Sequence, residues 1–189
     1  MKPFFRHKNY RPEERFFIMS KIFSTKKMVR AGLIAALYTV LSLITFPVAS
    51  GAIQFRMSEA LTMLPLFFVE SIPALFVGCA LSNLITGCAV FDIIFGSVIT
   101  LVSALFTFAF GKIIKITAVK LLVGGIFPVI LNAIFLPLIW VWCYGAGEYI
   151  YIVQAAFLLV SQSGAVYAFG VPLYLAVKKM KRRGLSFLE

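Results

Sequence analysis

Six apolar runs, broken by short stretches of charge, glycine or proline, order the chain from residue 28 onward. Met28–Phe46 is the first, closed by Pro47 and the small-residue loop VASGA. Gln54–Val69 is a short second run with Pro65 inside it. Ile72–Val90 is the third; Ser71 is placed to cap its helix and Pro73 suits the first turn. Ile93–Phe110 follows Asp92, a natural helix cap, and Leu121–Trp142 carries Gly124, Gly125 and Pro128, where a bend is expected. Tyr149–Val177 is the sixth, interrupted by Gly164, Gly170 and Pro172. About twenty helical residues cross a ~30 Å hydrocarbon core, so the second run is marginal and the sixth generous. The pattern predicts an all-α integral membrane protein with six transmembrane helices over 28–178. Tails at 1–27 and 179–189 flank it.

Composition reinforces this. The chain is 61% hydrophobic and 13% charged, against ~45–50% and ~25% for soluble domains. A soluble fold of this size has too little interior for so much apolar surface. The net charge of +11 would suit nucleic acid, but its placement favours a membrane. Nine of the eighteen Lys/Arg precede residue 31, three are Lys112, Lys115 and Lys120, and five lie between Lys178 and Arg183. Basic clusters just outside apolar spans are the positive-inside signature and suit anionic headgroups. Both termini and the 111–120 connection are therefore expected in the cytoplasm, and the loops near 47–54, 87–92 and 143–149 outside. The first residues are too charged for a signal-peptide core and read as a cytoplasmic tail, with Met19 an alternative start.

Ionisable groups inside such a protein are costly, about 2.5–3.5 kcal/mol at the bilayer centre on insertion scales. Arg56 and Glu59 stand three residues apart in the shortest run, where they can form a neutralised pair or face a ligand. Asp92 and Glu148 are placed at the same outer side, so three of the seven acids gather near the mouths of three segments. Asp92 can equally serve as a cap and Glu148 as a solvated loop residue. Asn83, Asn132, Gln154 and Gln162 extend the polar set inward, as site groups or as interhelical hydrogen bonders. Gln154, Leu158, Ser161 and Ala165 share one face, with Gln162 adjoining. Trp140, Trp142, Tyr144, Tyr149 and Tyr151 have the composition of an interfacial belt or a stacking platform. Cys79, Cys88 and Cys143 form no CxxC pair and read as small buried hydrophobes, although Cys88 and Cys143 could pair at the outer surface. Ala31 and Ala35, and again Ala74 and Gly78, make small-x-x-x-small faces that allow helices to approach closely.

Several functions are excluded. The single histidine, His7, lies in the tail, which argues against a membrane Ser–His hydrolase and against His-based zinc or haem sites. One aspartate rules out an aspartyl dyad, and there is no phosphate-binding G-x-x-x-x-G-K-[ST] loop. No catalytic, metal or cofactor site is expected, and the chain cannot hydrolyse ATP unaided.

The stretches QFRMSEALTMLP, PALFVGCALSNLI and FDIIFGSVITLVSAL resemble the QueT family of queuosine-precursor transporters, over about residues 28–178. These are substrate-binding S-components of energy-coupling factor transporters. The resemblance implies a six-helix bundle with an outward-facing small-molecule site, a transmembrane coupling subunit and two cytoplasmic ATPases as partners, and toppling of the S-component in the membrane. It implies that Ala31 and Ala35 dock to the coupling subunit. It also implies a 7-deazaguanine ligand, to which Arg56, Glu59, Asn83, Asp92, Asn132, Glu148 and Gln154 offer carboxylates and amides. An S-component for another vitamin and a self-sufficient ion-coupled transporter remain the alternatives.

Overall fold

The computed structural model describes residues 24–49, 54–145 and 148–184. The basic tail expected at 1–27, with Met19, falls mostly outside these residues; of the tail expected at 179–189, residues 179–184 are described, and the last helix runs into it as far as Arg182. Among the described residues there is no strand. The elements are α1 (Thr25–Ala49), a 3₁₀ helix (Met57–Leu66), α2 (Ser71–Ile85), α3 (Val90–Ile113), α4 (Thr117–Tyr144), α5 (Glu148–Ser163), a π-helical segment (Gly164–Phe169) and α6 (Gly170–Arg182).

Among the described residues four helical stretches are long and apolar enough to cross a membrane: Thr25–Ala49, Val90–Ile113, Thr117–Cys143 and Tyr151–Arg182. α2 is shorter, with fifteen residues. The surface agrees with a lipid setting. Ile44 and Val160 are 67% and 73% exposed, and exposed Leu33, Leu37 and Val40 continue the apolar stripe on α1. Apolar patches this extensive are rare on soluble monomers.

The second run is where the structure departs most from an ordinary span. It folds as a ten-residue 3₁₀ helix in which Ser58 through Pro65 are all buried. A 3₁₀ helix rises ~2.0 Å per residue against ~1.5 Å for an α-helix. Ten residues thus reach ~20 Å instead of ~15 Å, which partly offsets the shortness of the segment. It packs against α1, α2, α3, α4, the π segment and α6, so it forms the axis of the bundle. An element surrounded on every side needs small or apolar residues all round, and Ala60, Leu61, Met63 and Leu64 supply them.

Close approaches position this axis. A Cβ added at Gly170 would lie 2.9 Å from Met63 Cγ and 3.1 Å from the Ala60 carbonyl oxygen. At Gly78 an added Cβ would meet Tyr38 Cβ at 2.9 Å and the Ala35 carbonyl at 3.0 Å. Gly78 thereby lets α2 rest directly on α1, and Thr39 Oγ1 donates to its carbonyl at 3.3 Å. The sixth run is interrupted as expected, and the interruption is the π segment bounded by Gly164 and Gly170. Underwinding there rotates α6 relative to α5.

Helix ends differ from expectation. Ser71 Oγ donates to the Phe68 carbonyl at 2.6 Å and caps nothing; Glu70 occupies the cap position. α3 begins at Val90, so Asp92 lies in its first turn and not at the cap. α2 stops five residues early, at Ile85, because Gly87 adopts φ +70, a left-handed turn suited to glycine. One buried ion pair was not anticipated: Arg30 Nη1 lies 2.8 Å from Glu70 Oε1. The Arg30 guanidinium also sits 4.4 Å from the Phe68 ring centroid, joining α1 to the 3₁₀–α2 connection.

Candidate functional site

A cavity of about 220 Å³ opens where the N-terminal end of the 3₁₀ helix meets α2, α3, α4 and α5. Its polar lining includes Arg56, Glu59, Asn83, Asp92, Asn132 and Gln162, with Phe46, Leu136 and Trp140 as apolar walls. A larger groove of about 460 Å³ lies between α3 and α4, but residues such as Phe95, Val102, Leu131 and Phe135 line it with almost no polar surface. Specific recognition needs convergent polar groups in an otherwise apolar pocket, so the smaller cavity is the candidate site.

Glu59 is its centre and is only 3% exposed. Tyr38 of α1, fully buried, donates its hydroxyl to Glu59 Oε1 at 2.8 Å. Asn132 of α4 donates to Glu59 Oε2 over a long 3.4 Å. The Arg56–Glu59 pair anticipated from their spacing does not form. Arg56 precedes the 3₁₀ helix in extended conformation, at φ −121 and ψ 110, so the two side chains do not share a helix face. Arg56 instead donates to Asn83 Oδ1 at 3.2 Å.

Asn83 in turn donates to the Asp92 backbone carbonyl at 3.3 Å, which ties α2 to the start of α3. Trp140 Nε1 donates to Asp92 Oδ1 at 3.0 Å. Trp140 is therefore part of the chamber wall and not only of an interfacial belt. Trp142 is 85% exposed and does keep a belt-like position. Cys79 and Thr100 complete the floor, with Thr100 Oγ1 3.4 Å from the Cys79 sulfur. One guanidinium faces two carboxylates across the chamber, an arrangement that favours a neutral or cationic ligand rich in N–H donors.

Of the seven residues offered to the ligand from the sequence, the structure brings together five: Arg56, Glu59, Asn83, Asp92 and Asn132. Gln154 is not among the lining residues; Gln162, two helical turns further along α5, is. Glu148 opens α5, and its side chain lies outside the described ones. Ala35 is turned into the fold against α2 and Ala31 is half-buried, whereas Gly32 and Ala36 are exposed on the neighbouring face of α1. Cys88 lines the polar cavity and Cys143 the apolar groove, and both are free thiols, so the conceivable Cys88–Cys143 pair is absent.

Tyr38 and Gln54 were not identified as site residues from the sequence, and Trp140 stood only in the aromatic cluster readable as an interfacial belt or a stacking platform. A tyrosine in mid-span was the available signal for Tyr38, since a buried phenol needs a partner. Gln54 lines the cavity with φ 44, a left-handed conformation unusual for a non-glycine residue. Backbone strain of this kind gathers at ligand sites.

Lipid-exposed helices wrapped around a small internal polar chamber define a multi-pass membrane protein. The chain belongs to the QueT transporter family, whose model, described as QueT transporter, matches residues 28–179. Neither the curated proteins nor the solved structures return a significant match.

Proposed function

We propose that this transporter-family member is the substrate-binding S-component of an energy-coupling factor importer, and that its ligand is a 7-deazaguanine precursor of queuosine. The observation that carries the reading is the buried Glu59 carboxylate on the cavity wall, held from behind by Tyr38 and only loosely by Asn132. A carboxylate accepts the ring N–H and exocyclic amino group of a guanine-like edge together. Neighbouring amides can donate to the adjacent carbonyl, and Trp140 and Phe46 offer flat apolar walls. An aminomethyl substituent is cationic and would be favoured by Asp92.

The ligand enters from outside, with both termini in the cytoplasm, and a transmembrane coupling subunit with two ATPases drives toppling. Titration calorimetry of the purified protein with 7-deazaguanine, its 7-aminomethyl derivative and a panel of vitamins tests the substrate. Saturable binding of the deazaguanines alone is expected; binding of another vitamin in their place overturns the assignment. Vesicle uptake driven by a proton or sodium gradient, without ATPases, would identify a secondary transporter instead.

Docking to the coupling subunit is expected on the exposed face of α1 that carries Gly32 and Ala36, one residue on from the Ala31/Ala35 register. Small residues four apart admit a partner helix closely. Ala36→Leu should leave ligand affinity unchanged and abolish uptake in the reconstituted complex. Normal uptake by that variant would remove this face from docking.

A further inference from the structure

The cavity holds one buried side chain whose hydrogen-bonding capacity the fold does not use. Gln162 is 2% exposed and lines the chamber, and its side-chain oxygen has no hydrogen-bond partner. The polar groups around it are engaged: Glu59 with Tyr38 and Asn132, Arg56 with Asn83, and Thr100 with the Gly96 carbonyl at 2.9 Å. A buried acceptor without a donor destabilises a fold. Buried polar atoms are otherwise satisfied almost throughout native structures. The place of Gln162 on the wall of a ligand-sized chamber explains the exception, because a ligand N–H supplies the missing donor.

We infer that Gln162 is a specificity-determining residue: its side-chain oxygen accepts the pyrrole N–H of a free 7-deazaguanine base and thereby excludes the nucleoside. This rests on the ligand class proposed above and adds the ring edge that is read. The chemistry narrows the choice. 7-Deazaguanine carries donors at one pyrimidine-ring N–H, at the exocyclic amino group and at the pyrrole N–H. Glu59, with two acceptor oxygens, takes the first two as a pair. Two donors remain, the second amino N–H and the pyrrole N–H. The pyrrole N–H lies beside the ring acceptor nitrogen of the pyrimidine ring, so an amide can accept from the one and donate to the other, and this edge suits Gln162. In a nucleoside the pyrrole nitrogen bears the sugar. Size agrees. Pockets for drug-sized ligands run ~300–1,000 Å³, and a chamber of about 220 Å³ suits a bare heterocycle better than a base with its ribose.

The test compares 7-deazaguanine with its N9-methyl derivative, in wild type and in two variants, by calorimetry and thermal unfolding in detergent. Wild type should bind the free base at least tenfold more tightly than the methylated one. Gln162→Leu, similar in size but unable to accept, should bring the two within about threefold, the signature of a lost hydrogen bond of roughly 1–1.5 kcal/mol. Gln162→Glu retains an acceptor and should keep the preference. Without ligand, Gln162→Leu should unfold at the same or a higher temperature, because it removes an unsatisfied polar group. A structural glutamine would give the opposite result, and a fall of several degrees overturns the inference. An unchanged free-base preference in Gln162→Leu also overturns it, and leaves the ligand class standing. Wild-type protein that binds no 7-deazaguanine refutes the ligand class, and this inference with it.

Discussion

Glu59→Gln should weaken 7-deazaguanine binding by tenfold to a hundredfold while the protein still inserts and purifies. The carboxylate is buried, so its charge is little screened by water, and both oxygens face donors from separate helices. Glutamine keeps one acceptor and turns the other position into a donor. Either Tyr38, Asn132 or the ligand then loses its acceptor. A hydrogen bond to a charged group contributes ~1.5–3 kcal/mol, and each ~1.4 kcal/mol is a factor of ten in affinity, which sets the expected range. Calorimetry with 7-deazaguanine reads the loss directly. Undiminished affinity would show that Glu59 holds Tyr38 and Asn132 together and touches no ligand.

The second large effect is expected at a residue that does not line the cavity. Gly78→Leu places a side chain where even a lone Cβ would lie 2.9 Å from Tyr38 Cβ and 3.0 Å from the Ala35 carbonyl. Both obstacles belong to the body of α1, one of them backbone, so α1 and α2 must separate. Overpacking a close contact costs ~1–3 kcal/mol, occasionally more. For a protein of this size ~1 kcal/mol corresponds to a shift of roughly 2–4 °C in unfolding temperature. Displacement of α1 also carries the Tyr38 hydroxyl away from Glu59, so affinity should fall together with stability. Gly32→Leu is the control, because an added Cβ there meets nothing within 4 Å. It should bind ligand normally. If Gly78→Leu unfolds and binds like wild type, the α1–α2 contact does not position the site.

What the sequence determined by itself is the membrane class, the helical runs and most of the polar inventory. Composition and period are enough for these, because a bilayer requires long apolar helices and makes each internal charge conspicuous. The residues Arg56, Glu59, Asn83, Asp92 and Asn132 were visible for that reason. Three features were decided only by packing. The second run became a 3₁₀ axis because surrounding helices bury it on every side. Glu59 took Tyr38 and Asn132 as partners, and Arg56 took Asn83, because the chain is extended at Arg56 and an i,i+3 count presumes a helix. Gln162 and not Gln154 reached the chamber, and Ala35 turned inward while Ala36 stayed outside. A helix face is known from sequence only to within a residue or so. Contacts across 21 or 73 positions, like those of Tyr38 and Asn132 with Glu59, leave no local pattern in the chain.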